Sequence, residues 1–462
     1  MNRSRRDFLK NTAWLGATAI AAGCVNGGLK LTSGGRMQGF AAKPLRRVRV
    51  AMVGLGSRGY WALTRLVEIP GLEIVALADN NPEALAKSRK FLVEKKLPAA
   101  REFGGDEGYK AMCDAGLADV VYNCTPRDLH VAINVYAMDR GLHAFTEVPG
   151  SMTIDGCWET VEACERNRVH CMMLENCCYG ECEMLALNLV RKGILGEIVH
   201  CDGAYIHNQR DLQFRSCPWR LKDTMTRKGN YYPTHGLGPL CKCLGINRGD
   251  RFDYLVSMES AAPSFEGYAR EVMKGTEYEH AKMSRGDVNF TMMRTVNGKL
   301  LTLQHDVATP RPYDRLNLVS GTKGIFRGIF PESFKVAFEE KLGDNGAHEY
   351  FSDEKAQKVR NDYKHPLWAA FGDFAQKLDG GGHGGMDYIM DLRWAFCLQN
   401  GLPLDTDVYD LATWSSIVEL TSRSVRANSR PVDFPDFTRG GWKTAQPFAV
   451  GGVDFSKMGV KG

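Results

Sequence analysis

The sequence predicts an α/β chain in two parts: a parallel sheet wound with helices, then an α+β domain built on a mostly antiparallel sheet. Three observations predict it. The 462 residues exceed what one hydrophobic core usually serves. From Arg47 onward, short β-branched runs alternate with helical stretches, as βαβ units require. Beyond Gly196 the runs lengthen and alternate apolar with polar residues, the pattern of a sheet with one solvated face.

In order, the first part is expected to place strands at 48–53, 72–78, 120–123, 143–146 and 170–174, with helices between them. The second is expected to place strands at 198–207, 252–259, 288–295 and 300–307. Helices follow at 367–378, 388–399 and 408–425, the last packing back on the first part. These elements set the expected domains at 45–195 and 196–435, with 436–462 as an extended arm rich in Gly. The broad antiparallel sheet also offers a face for a homo-oligomer.

Composition narrows the function classes. With 44% hydrophobic and 24% charged residues the chain is not a disordered one, and no apolar run past the N-terminus is long enough to span a bilayer. A net charge of +5, from 59 basic and 54 acidic residues without a basic block, argues against nucleic acid as a partner. Arg5-Arg6, followed by Phe8-Leu9-Lys10 and an Ala- and Gly-rich apolar stretch at 13–22, reads as a twin-arginine export signal over residues 1–24. Ala21-Ala22-Gly23-Cys24 makes Cys24 a candidate lipid-attachment site. An exported protein, periplasmic or anchored to a membrane, is therefore expected. Proteins on that route fold before crossing, in a reducing compartment, so the 14 irregularly spaced cysteines are expected to be free thiols. Cys177-Cys178 and Cys241-Lys242-Cys243 lack the paired spacing of a zinc site, and no metal is expected.

The chemistry-bearing residues gather where the first part's strands end. Gly54-Leu55-Gly56-Ser57-Arg58-Gly59 follows the first strand directly and opens a helix. Such a glycine pattern is weak alone, but Asp79 ends the second strand 25 residues after Gly54, and strand, turn, helix and acid together form a dinucleotide-binding Rossmann fingerprint. The glycines let backbone N–H groups approach a diphosphate at the helix N-terminus. Asp79 can accept from ribose hydroxyls and would repel a 2′-phosphate, so NAD is expected over NADP. The stretch Arg127-Asp128-Leu129-His130, the triplet Glu147-Val148-Pro149 and the pair Glu175-Asn176 follow three more strand ends at the same edge.

These motifs resemble the glucose–fructose oxidoreductase / inositol dehydrogenase (Gfo/Idh/MocA) superfamily, whose usual Glu-Lys-Pro triplet here carries Val148 in place of lysine. A narrower resemblance accounts for that departure. Glu147-Val148-Pro149, Glu175-Asn176-Cys177-Cys178-Tyr179-Gly180, the run from Gly229 to Pro239 (GNYYPTHGLGP) and Gly384-Gly385-Met386-Asp387-Tyr388 look like glycoside hydrolase family 109. That resemblance implies an α-N-acetylgalactosaminidase that keeps and recycles NAD. It implies cofactor contacts from Gly54, Gly56, Ser57, Arg58, Gly59, Asp79, Arg127, Asp128, Leu129, His130, Glu147, Val148 and Asn176, with Arg127 standing where an aromatic residue is expected. It implies sugar contacts from Tyr205, Arg220, Tyr232, His235 and Tyr313.

The implied route oxidises C3 of the sugar, removes the acidified C2 proton, eliminates the aglycone from C1, adds water and reduces C3 again, a recognised exception to paired-carboxylate hydrolysis. Proton transfer near neutral pH and oxyanion support suit His and Tyr, so His235, Tyr179 and Tyr232 are the catalytic candidates, with Tyr313 beside them. The indole of Trp219 is expected to pack on the sugar while Arg220 holds one of its oxygens. Two alternatives stand beside this reading: an NAD-dependent sugar or polyol oxidoreductase, and a non-catalytic glycan-binding lipoprotein.

Overall fold

The computed structural model describes residues 36–331, 333–341, 348–378 and 383–446. The expected export signal and Cys24 lie outside the described residues.

Six parallel strands make the first sheet: β1 Val48–Val53, β2 Leu72–Asp79, β3 Arg101–Gly104, β4 Val120–Asn123, β5 His143–Thr146 and β6 Cys171–Met173, in the order β3-β2-β1-β4-β5-β6. β1, β4, β5 and β6 are buried almost throughout, as expected of a parallel sheet covered by helices on both faces. Chain order reverses beside β1, which pairs with β2 on one side and β4 on the other. The crevice at that switch point is where open α/β sheets bind ligands. β3 escapes the sequence reading because it is a four-residue edge strand that begins Arg101-Glu102.

The second sheet has eight strands, ordered β13-β12-β11-β7-β10-β9-β8-β14. β7 (Ile198–Ile206) and β10 (Leu300–Asp306) run parallel, and the other pairs, through β8 (Phe252–Glu259) and β9 (Val288–Thr295), are antiparallel. β11 (Leu318–Gly321), β12 (Gly324–Ile329) and β13 (Ser333–Phe338) were not expected, since Gly321, Gly324, Gly328, Arg327 and Lys335 interrupt the apolar alternation. One face of the sheet stays open: Val199, Met258, Phe290, Met292 and Leu300 are exposed on it.

The three expected C-terminal helices are Pro366–Leu378, Met386–Asn400 and Val408–Arg426. The middle one has no polar face, and its charged residues are paired inside the protein: Asp387 with Arg58, Asp391 with Arg65 and Arg393 with Asp405. The last starts in a capping box between Asp407 and Asp410 and packs on helix Ile154–Asn167, where Glu419 accepts from the Ile154 N–H at 2.7 Å. These helices therefore complete the first sheet's covering layer. At the end of the second part, Val432–Asp433 (β14) pairs with β8 and Phe434 is buried. The described part of the expected arm is packed as well: Phe437 is buried, and Arg439 pairs with Glu165 at 2.7 Å.

Residues 36–46 strap the sheet's far edge. His170 Nε2 accepts from the Ala42 N–H at 3.2 Å, and His143 Nδ1 accepts from the His170 N–H at 3.0 Å, so both rings are neutral. Burial depresses them accordingly, His143 to about 4 and His170 to about 3. All 13 described cysteines are free thiols.

Candidate active site

The glycine-rich turn has the geometry of a diphosphate cradle. Gly54 has φ +80, and a Cβ there would stand 2.7 Å from the Cys124 backbone, so β4 closes the turn from below. A Cβ on Gly59 would overlap the Gly54 carbonyl, which fixes the close approach of helix Ser57–Leu66 to the turn. A Cβ on Gly56 would meet nothing. Two glycines thus pack the turn, and the third leaves open backbone where a phosphate can approach. Asp79, at the end of β2, accepts from the Leu55 and Asn81 N–H groups and stands beside this turn. The residues present fit NAD, and residues 48–175 are an NAD-binding Rossmann domain.

Arg58 carries the turn's connection to the rest of the site. Its Nε donates to Glu147 Oε1 at 2.6 Å, and its Nη2 and Nη1 reach Asp387 at 2.8 and 3.2 Å. Burial works against the charge, but the two carboxylates hold the guanidinium firmly protonated. Asp387 is fully buried. Despite that, Arg58, Arg65 and His383 hold its carboxyl well below the usual range. His383 Nδ1 lies 2.6 Å from Asp387 Oδ2. Sequence reasoning missed His383 altogether and quoted Asp387 only as part of a motif: the two stand four residues apart, but the groups that make them part of a site, Arg58 and Asn176, lie more than two hundred residues away.

The long glycine- and tyrosine-rich motif proves to be mostly packing around one histidine. Gly229 (φ +79) abuts Thr421, whose hydroxyl accepts from the Asn230 N–H, and Asn230 in turn accepts from the Tyr232 N–H at 3.0 Å. Helix Thr234–Leu244 begins next. A Cβ on Gly236 would stand 2.5 Å from the Ala204 backbone and one on Gly238 would crowd Glu175, so the helix lies directly on β7. That seating presses His235 against Glu175, with Nδ1 2.7 Å from Oε1 and Nε2 3.5 Å from the Tyr232 hydroxyl. Glu175 is buried, yet His235 keeps its carboxyl below the usual range. An acceptor on Nδ1 leaves Nε2 free to take a proton. Glu175, Cys177 and His235 also form the one described cluster whose donor atoms, all within 4.8 Å, could take a metal ion. Here the carboxylate and the imidazole bind each other, as an acid–base pair does.

A cavity of about 410 Å³ joins these parts. Its lining includes Asn176, Cys177, His383 and Met386 together with Tyr205, His207, Gln209, His235, Tyr313 and Arg315. The Tyr205 ring lies 4.9 Å from Tyr232, 5.2 Å from His235 and 6.1 Å from Tyr313; of the five residues expected to face sugar, Tyr205, His235 and Tyr313 line the cavity, while Tyr232 and Arg220 are not among its lining residues. Burial pushes the Tyr232 phenol up to about 12. Arg220 stacks between the Tyr232 and Trp219 rings, at 5.3 and 4.8 Å.

Several expected site residues are placed elsewhere. Tyr179 is buried with its hydroxyl 3.4 Å from Asp405, which is ion-paired to Arg393, and it does not line the cavity. Its placement is that of a core tyrosine. Arg127 is buried between Trp219 and Tyr231 and pairs with Asp223 at 2.9 Å, which ties the Rossmann edge to helix Pro218–Thr226. The His130 ring lies between the Thr125 and Pro149 carbonyls, 2.8 Å from each, and serves as a clamp between two loops. Trp219 is half exposed and stacks with Arg127 and Arg220, not on the cavity wall. Asp128 and Leu129 are exposed, and Val148 is buried beside Glu147.

Comparison with known proteins completes the description. Residues 179–444 match the model of the glycosyl hydrolase 109 C-terminal domain, and residues 48–175 that of the oxidoreductase family with an NAD-binding Rossmann fold. A glycosyl hydrolase family 109 protein of Shewanella pealeana is 40% identical, over 98% of this chain and 100% of its own. An alpha-N-acetylgalactosaminidase of Bacteroides fragilis is 42% identical, over 90% of this chain and 97% of its own. Among solved structures, a levoglucosan dehydrogenase in complex with NADH and levoglucosan superimposes with a TM-score of 0.66 at 17% identity, over 84% of this chain and 100% of that one, a likeness of fold.

Proposed function

This chain belongs to glycosyl hydrolase family 109, and we propose that it hydrolyses terminal α-N-acetylgalactosamine by a redox-neutral cycle of oxidation, elimination, addition and reduction. The observation that carries the reading is that two carboxylate-backed histidines, His235 and His383, line one cavity beside the cofactor turn. NAD, when bound, supplies a hydride acceptor that returns what it takes. The turn at Gly54–Gly59, with Asp79, Arg58, Glu147 and Asn176, would hold it. Once the sugar carries a carbonyl at C3, its C2 proton is acidic, and His235 Nε2, with Glu175 behind Nδ1, is the base suited to remove it. His383, with Asp387 behind Nδ1 and a half-exposed ring, is suited to protonate the departing oxygen and to activate the water that replaces it. Tyr205 and Tyr313, which line the cavity, are suited to hydrogen-bond sugar oxygens, and Tyr232 stands beside His235 with its hydroxyl 3.5 Å from Nε2. The dehydrogenase alternative lacks a lysine at Val148, and a passive binding protein would not need two acid–base pairs.

The test is incubation of the purified protein, without added NAD, with nitrophenyl α-N-acetylgalactosaminide in deuterated water. Nitrophenol release with deuterium at C2 is expected. Accumulation of NADH without release would favour the oxidoreductase.

Two further readings belong here. We infer that Arg5-Arg6 direct export of the folded, cofactor-loaded protein and that Cys24 is its lipid anchor; the support is sequence alone, together with the sense of a redox-neutral enzyme where free NAD is scarce. Cell fractionation tests this, with Cys24→Ser expected to release the protein from membranes. We also infer a homo-oligomer through the open face of the second sheet, supported by exposed Val199, Met258, Phe290, Met292 and Leu300. Light scattering after chromatography, with Phe290→Lys expected to give monomers, tests that.

A further inference from the structure

One buried ion pair on the cavity wall has no part in the scheme above. Arg315 Nε lies 2.8 Å and Nη2 2.6 Å from Glu183 Oε1, with both side chains buried. The remaining arm, Nη1, donates to the Tyr313 hydroxyl oxygen at 2.8 Å. The guanidinium also lies 3.9 Å above the Phe330 ring. The backbone is shaped to deliver this arrangement. Leu316 and Asn317, directly after Arg315, both have left-handed φ, +61 and +44, a conformation that non-glycine residues hold only when their surroundings enforce it. The Arg315 carbonyl accepts from the Ala204 and Asn317 N–H groups at 2.8 and 2.7 Å, which anchors the turn to β7. Gly180 completes the fit, because a Cβ there would overlap Glu183 Oε2.

An arginine has donors and no acceptor, so the direction of the Arg315–Tyr313 bond is fixed. The phenol oxygen accepts, and its own hydrogen is left for the cavity that both residues line. Burial raises the Tyr313 phenol, so it keeps that hydrogen at neutral pH. We propose that Glu183 and Arg315 are positioning residues that make Tyr313 a one-way hydrogen-bond donor to the sugar oxygen on which negative charge gathers during turnover. The inference rests on the glycosidase reading. No proton changes owner: the bond strengthens as charge builds and relaxes as it disperses, which raises kcat more than affinity.

The experiment is a double-mutant cycle on the cofactor-loaded enzyme, reading kcat and KM with nitrophenyl α-N-acetylgalactosaminide. Tyr313→Phe is expected to lower kcat about 100-fold, with KM changed less than about threefold. Arg315→Lys, which keeps the charge and loses the fork, is expected to lower kcat about tenfold. Arg315→Lys combined with Tyr313→Phe is expected to be no slower than Tyr313→Phe alone, the mark of one residue acting through the other. Glu183→Gln, made with and without Tyr313→Phe, carries the same comparison if Arg315→Lys does not fold. Losses that multiply overturn the proposal, as does a loss in Arg315→Lys confined to KM or matched by loss of bound NAD. In those cases an active wild type leaves the glycosidase reading standing. A wild type that releases no nitrophenol overturns both.

Discussion

His235 and His383 share one cavity and one chemistry, and differ in everything around it. Each has a carboxylate against Nδ1, at 2.7 Å from Glu175 and 2.6 Å from Asp387, and each carboxylate is buried and yet held below its usual range, Glu175 by the His235 ring and its hydrogen-bond donors and Asp387 by Arg58, Arg65 and His383. The His235 side chain is only 12% exposed, at the start of a helix seated on β7 by glycines. The His383 side chain is 45% exposed and precedes Gly384 and Gly385, both with positive φ. The dyad sets what a histidine can do, and its surroundings set for which atom. A sheltered, rigid ring suits a carbon-bound proton that must not be lost to side reactions. An open one suits a group that must meet a departing aglycone and an incoming water.

The largest expected effect tests the sheltered member. His235→Gln should lower kcat about 1000-fold, with loss of deuterium incorporation at C2 followed by NMR. Retained incorporation at that reduced rate would place the base elsewhere. His383→Gln should show its role through the leaving group: about 100-fold loss with an alkyl or sugar aglycone, and less than about tenfold with nitrophenol, which departs without help. Equal losses on both would make the two histidines alike and break the comparison. Glu175→Gln should cost about tenfold to 50-fold in kcat, because the ring keeps a hydrogen-bond partner and loses the charge that stabilises its protonated form.

A second pair of histidines sharpens the contrast. His143 and His170 accept backbone N–H groups where His235 and His383 face carboxylates, so they cannot be protonated without breaking those bonds. Their folded values, about 4 and about 3, lie below the unfolded value near 6.5. Their stabilisation is complete above that value and is lost as pH falls, so between about pH 6.5 and 4 stability should drop by about 1.4 kcal/mol per pH unit for each ring. Unfolding midpoints measured across that range check it, and a flat profile would refute it. The smallest effect is expected at Tyr179→Phe. Its hydroxyl faces Asp405 and not the cavity, so kcat should change less than about twofold and stability by about 1 kcal/mol. A loss of turnover matching His235→Gln would restore it to the chemistry.

What the sequence made legible was local. Gly54 to Gly59, Asp79 and the strands around them are read from adjacent residues, because the turn, its helix and its acid are specified within one βαβ unit. β11 to β13 were hidden because glycines and charges broke the alternation that marks a half-buried strand. The motif run from Gly229 to Pro239 advertised His235 and concealed its partner Glu175, which stands 60 residues earlier. Tyr179, Arg127 and His130 lie in or beside motifs that do reach the site, yet their side chains turn to Asp405, Asp223 and two carbonyls. A motif fixes backbone course. Which way each side chain faces depends on elements packed there from elsewhere in the chain.

The Arg58–Asp387 pair spans 329 residues. A ribosome that has made the whole glycine turn and all six parallel strands has made Glu147 but not yet the second carboxylate that holds Arg58, nor the histidine beside it. The dinucleotide crevice is therefore among the last features to be finished during synthesis, although it is written among the first. Chains that stall or are clipped before the helix at Met386–Asn400 would carry a complete nucleotide-binding signature and a Rossmann sheet without its closing layer.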